Sequence, residues 1–236
     1  MRRKLYAVLL WLGGTTLPES AKSQLINDFE SWHNIGVSYV ASPDLSVAAK
    51  YIVGNRLNLT EFSRSAFSLQ VDKDVNKWLR VGTEYRYTTS YEEDFNRFWL
   101  YAVADKKIFR KTHLQWRTLF QTDIARFNQD YLREFRPHLV TRNMLRLKYK
   151  YNKKTRLYGY ADIYHTWKNN RTRAYRMRYG VGSSYLYKKR HDLGMELVWI
   201  DEFNRRSEWD VAFANLKYVY IIKAKRKKEY KPNMVY

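Results

Sequence analysis

Leu79-Arg80-Val81-Gly82-Thr83-Glu84-Tyr85-Arg86-Tyr87 alternates strictly: Leu79, Val81, Thr83, Tyr85 and Tyr87 fall on one face, and Arg80, Gly82, Glu84 and Arg86 on the other. A period of two is the pattern of a β-strand with one apolar and one polar side. The pattern recurs from Trp32 to Ile222, in segments of about 8–12 residues separated by polar breaks. So many in succession predict an all-β chain, an antiparallel up-and-down barrel of about 10–12 strands.

Upstream, Ile35, Val37, Tyr39 and Ala41 oppose Asn34, Gly36 and Ser38, and Leu45, Val47, Ala49, Tyr51 and Val53 oppose Ser46, Ala48 and Lys50. A third segment, from about Ser65 to Val71, sets Phe67, Leu69 and Val71 against Ser68 and Gln70. Downstream, Arg97 to Ala104 is ambiguous, because Phe98 and Leu100 compete with Trp99 and Tyr101 for the apolar side. The remaining segments put Trp116 and Phe120, Leu145 and Leu147, Leu157 and Ile163, Tyr179 and Val181, Leu193 and Leu197, and Leu216 and Ile222 on apolar faces. Their polar faces carry His113, Gln115 and Arg117; Arg142, Arg146 and Lys148; Arg156 and Asp162; Arg176 and Arg178; Glu196; and Lys217.

The breaks alternate in length. Those near 42–44, 72–76, 105–110, 152–154 and 188–191 are short, and those near 54–63, 88–95, 123–136, 166–173 and 201–208 are longer. Short turns on one side and longer loops on the other are the habit of outer-membrane barrels, with the short side in the periplasm. A soluble periplasmic barrel binding an apolar ligand would show the same meander with its apolar rows turned inward. Eleven segments also conflict with the even strand number of bacterial single-chain barrels. Either one is miscounted, or residues 24–34 run back through the lumen, a stretch reaching about 36 Å.

The first residues bear on location. Arg2, Arg3 and Lys4 precede the apolar run Leu5 to Leu12, and Ala21-Lys22-Ser23 lies ahead of Gln24. A charged start, a short apolar run and a small-residue site make a secretory signal peptide, too short to cross a bilayer as a helix. The expected organisation is a signal peptide at 1–23, a single barrel domain at 24–222 and a basic tail at 223–236.

Composition agrees with an exported barrel. The chain has no cysteine among its 236 residues, so it uses neither disulfides nor thiolate metal sites,. Its 21 Tyr, 8 Trp and 11 Phe suit both a sheet and the two rims of a membrane belt,. Residues 1–23 hold Arg2, Arg3, Lys4, Lys22 and Glu19; without them 40 basic residues face 22 acidic ones. That excess predicts anionic partners, which for an exported barrel means small anions or lipid headgroups rather than nucleic acid.

No catalytic set emerges. His33, His113, His138, His165 and His191 are scattered, with no metal-ligand spacing and no phosphate-cradling glycine loop,. The alternative to a non-enzymatic barrel is an outer-membrane lipid hydrolase, with His113 or His33 as base if an inward Ser and an acidic or amide partner lie within reach. No cofactor is expected. The binding candidates are the inward cations Lys50, Arg80, Arg86, Arg117, Arg142, Arg146, Arg176 and Arg178, because rings of Arg and Lys favour anions,. Set against an open basic lumen is a barrel that fills its interior with side chains. Gly180 and Gly182, two apart in one strand, read as relief of crowding there.

Several stretches resemble one family: Asp28-Phe29-Glu30-Ser31-Trp32-His33-Asn34-Ile35-Gly36-Val37-Ser38-Tyr39, Val81 to Tyr87, Arg176-Met177-Arg178-Tyr179-Gly180-Val181-Gly182, and Lys188 to Leu193 with Asp201-Glu202-Phe203-Asn204. They are similar to the Bacteroidota outer-membrane barrel family catalogued as a domain of unknown function, over about residues 28–222. The resemblance implies an integral outer-membrane barrel, structural or handling small solutes and anions. It implies no chemistry, and the basic tail lies outside it.

Overall fold

The computed structural model describes residues 28–90, 94–125, 138–168, 171–202 and 209–224. The proposed signal peptide and nearly all of the basic tail lie outside them. Eleven strands form one closed barrel: β1 Asp28–Val40, β2 Leu45–Arg56, β3 Glu61–Asp74, β4 Leu79–Ser90, β5 Phe95–Phe109, β6 Thr112–Ala125, β7 His138–Lys150, β8 Thr155–Lys168, β9 Arg171–Tyr187, β10 His191–Glu202 and β11 Trp209–Lys223. Each pairs antiparallel with its sequence neighbours, and β1 closes the ring against β11 in parallel. The up-and-down barrel of the expected size is therefore correct, with one parallel seam.

That seam resolves the parity conflict. An odd number of alternating strands leaves the first and last pointing the same way, so the ring can close only through a parallel pair. No segment is miscounted, and residues 28–34 are not a lumen crossing: they lie in the wall, with Asn34 in register with Lys217 and Ile35 with Tyr218. Inside the seam, the Asn34 side-chain amide donates to Asn215 Oδ1 at 2.5 Å. Beyond it, the amide of Ala224 donates to the Val40 carbonyl at 3.0 Å.

The apolar rows face outward. Ile35, Leu100, Trp116, Leu145, Val181 and Met195 are all more than half exposed although they sit in the strands. A soluble barrel with these rows inside is therefore not what the chain builds; so large an exposed apolar surface needs lipid around it. Aromatic side chains border the belt, Trp78, Phe109, Tyr151 and Tyr187 at one end and Phe62 and Trp167 at the other, where amphipathic rings meet the membrane–water boundary. The ambiguous fifth segment resolves as well. Trp99, Tyr101 and Val103 are buried in the lumen with Leu119, and Phe98 and Leu100 are exposed.

Strands run further than the alternation indicated, so the contrast in loop length is weaker than expected. The breaks near 54–63 and 166–173 shrink to Leu57–Thr60 and to residues 169–170, and the longest connection separates β6 from β7. Leu57, Asn58 and Leu59 all have positive φ. Lys188 and Lys189 also do, at 48° and 59°, the handedness a tight hairpin needs to match strand twist. At the β1–β2 turn Ser42 Oγ donates to Asp44 Oδ1 at 2.6 Å, which holds that carboxyl below the usual range.

Candidate functional site: a basic, aromatic-lined lumen

The lumen is not packed solid. It contains a cavity of about 1640 Å³, and a second of about 850 Å³ towards the short turns. Arg80, Gln115, Arg146, Glu196, Asn215 and Lys217 border both, so the two spaces meet at this level. All eight candidate cations, Lys50, Arg80, Arg86, Arg117, Arg142, Arg146, Arg176 and Arg178, line the larger cavity. Period-two alternation on β2, β4, β6, β7 and β9 puts them there.

Most of these cations are held by carboxylates on the same or the adjoining strand. Arg86 Nη2 donates to Glu84 Oε1 at 2.8 Å, and Lys50 Nζ lies 4.0 Å from the other Glu84 oxygen. Arg142 and Arg117 share Asp162 Oδ2, at 2.5 and 3.4 Å. Glu196 accepts from Tyr160 at 2.6 Å, Tyr158 at 3.0 Å and Arg178 at 3.2 Å. Arg176 pairs with Glu202, and Arg80 with Asp74 at 2.7 Å. Arg146 differs: its contacts are with rings, and no ion pair ties it to any described carboxylate.

Aromatic faces fix the guanidinium planes. Arg86 lies 4.3 Å from the Trp99 centroid, Arg142 4.2 Å from Tyr164, Arg146 4.9 Å from Tyr158, and Arg178 5.0 Å from Phe213. Such stacking attracts a cation without neutralising it, so the positive potential of the lumen survives. The Nε atoms of Arg86, Arg117, Arg142, Arg146, Arg176 and Arg178 are buried with no hydrogen-bond partner in the protein. Each is a buried donor left unsatisfied, so these guanidinium groups meet the lumen through their terminal nitrogens instead,.

Gly82, Gly180 and Gly182 face inward under Tyr101, Tyr160 and Tyr158, their register partners on adjacent strands. A Cβ on Gly180 would come within 2.4 Å of the Tyr160 ring, and one on Gly182 within 2.7 Å of Tyr158. Gly180 and Gly182 therefore make room for the rings that support Arg146 and Arg178, which is the relief of crowding read from the sequence, and Gly82 does the same for Tyr101.

Several lumen residues were not singled out in advance. Arg97, on the ambiguous segment, makes a bidentate pair with Asp123 at 2.6 and 2.7 Å. Asp123, Arg173 and Glu202 line the cavity from positions assigned to breaks. In all, twelve Lys or Arg against seven Asp or Glu line the larger space.

Among the described residues, His113 and His33 do not build the proposed hydrolase set. His113 Nδ1 is 2.8 Å from Asp105 Oδ1, and Lys148 holds the other Asp105 oxygen at 2.9 Å, with no serine in the cluster. His33 Nε2 is 3.3 Å from Ser31 Oγ, with no acidic or amide side chain bonded to that imidazole. The His138 side chain lies outside the described residues. Among the described residues no group of three His, Asp or Glu could hold a metal.

No family model and no curated protein matches the chain. Among solved structures, that of NanC porin superposes with a TM-score of 0.50 at 12% identity, covering 78% of this chain and 93% of that one. KdgM porin gives 0.45 at 9% identity, with 73% and 91% covered. With the closed ring of strands, the NanC likeness gives the fold, that of a porin-like β-barrel.

Proposed function

We propose that the chain is exported behind a signal peptide at 1–23, spans the outer membrane with its short turns in the periplasm, and admits or holds small anions in its lumen. One observation carries the reading: twelve basic against seven acidic side chains line an unfilled lumen inside an apolar outer wall. Fixed cations in a narrow, low-dielectric passage raise the local concentration of anions and exclude cations. The aromatic platforms support this by presenting guanidinium groups to the space without cancelling their charge. Lipid of the outer membrane is the partner of the apolar belt. Membership in the Bacteroidota barrel family belongs to the same proposal; its motifs fall on β1, β4, β9, the β9–β10 turn and both ends of β10, with Phe203 and Asn204 outside the described residues.

The test is solute flux into liposomes carrying the purified protein, comparing gluconate with a neutral sugar of similar size. Gluconate should enter faster at low salt, and the difference should shrink as salt screens the lumen. Equal rates at low salt would refute the anion reading.

A further inference from the structure

The smaller cavity, at the short-turn end, has two unlike sides. Arg146 and Lys148 of β7, Lys154 of the turn that follows and Arg156 of β8 form a basic one. Leu186 of β9, Ile221 of β11 and Val40 of β1, extended by Ala41 and Pro43, form an apolar patch on the other, in a space that Lys189, Asp192, Glu196, Lys217 and Lys223 also line. The hairpin geometry ties these parts together, since the amide of Leu186 donates to the Lys154 carbonyl at 2.9 Å.

The charges here are answered less fully than those higher in the barrel. Lys148 is paired with Asp105, and Lys217 with Asp192 at 2.8 Å. Arg146, Lys154 and Arg156 have no ion pair with any described carboxylate, and the Arg146 Nε is buried without a hydrogen-bond partner. Unanswered cations beside a half-buried apolar surface call for a ligand that offers both a negative charge and a hydrocarbon body.

We propose that this vestibule is a binding site for organic monoanions with an apolar body: a carboxylate or sulfonate against Arg146, Lys154 and Arg156, and the hydrocarbon against Leu186, Ile221 and Val40. A simple inorganic anion leaves the apolar side wet, and a neutral hydrocarbon leaves the cations unanswered. Each methylene placed on the apolar side adds about fourfold in affinity. The inference deepens the anion-handling reading by naming a class of solute, and it is defined by equilibrium binding rather than by flux.

The experiment is calorimetry on the full protein in nanodiscs of zwitterionic lipid, with empty nanodiscs as blank. The probes are 3-phenylpropionate, acetate and 3-phenylpropanol. The site predicts saturable binding of phenylpropionate, about tenfold or more tighter than either other probe. The double change Lys154→Gln with Arg156→Gln, in and beside an exposed turn, should weaken it about tenfold. Ile221→Asn should weaken it comparably, and acetate binding should not follow. Failure of phenylpropionate to bind, parity with acetate or with phenylpropanol, or indifference to both variants would overturn the proposal. Reversal potentials on the same preparation separate the two claims: an anion-selective barrel that ignores phenylpropionate ends this inference alone, and a cation-selective barrel that binds it ends only the anion reading.

Discussion

Arg142 on β7 and Asp162 on β8 meet inside the barrel, Nη2 2.5 Å from Oδ2, although the strand register pairs Arg142 with Tyr164 and Asp162 with Met144. The same guanidinium lies 4.2 Å from the Tyr164 centroid, so one cation is shared between an acid and a ring. Arg117 reaches the same oxygen at 3.4 Å. Asp162→Asn therefore leaves two lumen arginines without their carboxylate. Loss of the charge-assisted bonds should cost about 1.5–3 kcal/mol of barrel stability, and anion preference should rise. Urea titration in lipid vesicles and reversal potentials read the two effects, and a variant unchanged in both would show that the pair is not formed.

The outward rows make a depth-dependent prediction. Leu145 sits mid-strand on β7 and Phe109 at the short-turn end of β5, and both are more than half exposed. Leu145→Arg should cost about 2–4 kcal/mol and Phe109→Arg about 0–1. Equal costs in bilayer unfolding titrations would mean that Leu145 is not at the centre of a lipid belt. Leu79, apolar and clean in the alternation, is the first residue of β4 and belongs with the shallow positions.

Gly180→Ala tests the packing of the lumen. The added methyl would meet the Tyr160 ring, which donates to Glu196 at 2.6 Å. Overpacking of this kind costs about 1–3 kcal/mol. Gly159→Ala meets nothing nearer than 3.8 Å and serves as the mild control. If the two variants unfold at the same urea concentration, the ring is not seated over Gly180.

The parallel seam predicts cross-links at a constant offset. Ile35 is in register with Tyr218, and Tyr39 with Ile222. Because the chain lacks cysteine, the pairs Ile35→Cys/Tyr218→Cys and Tyr39→Cys/Ile222→Cys can be oxidised without competition. Both should cross-link in the folded barrel, as detected by electrophoretic mobility. An antiparallel seam could bring only one of them together.

Much of this architecture is legible in the chain, because the residue types on β2, β4, β7, β9 and β10 separate cleanly into lipid-facing and lumen-facing rows. Lys50, Arg80, Arg86, Arg142, Arg146, Arg176 and Arg178 could be placed in the lumen by counting alone. Arg97 could not, since Trp99, a platform for arginine, and Tyr101, hydrogen-bonded to Asp72, occupy lumen positions and so resemble a lipid face. Asp123, Arg173 and Glu202 were hidden for another reason. The strand ends that carry them run past the apolar belt, where both faces are polar and alternation disappears. The partner of β1 is equally silent in the sequence, because an alternating strand accepts a parallel or an antiparallel neighbour. Odd strand parity was the one available hint.

The central claim is that this barrel's lumen prefers anions, and the reversal potential across a planar bilayer under a KCl gradient measures it most directly. The account predicts a potential of the sign set by chloride, moving towards zero or reversing when Arg86, Arg146 and Arg178 are replaced together by Gln. A wild-type potential of the sign set by potassium would contradict it.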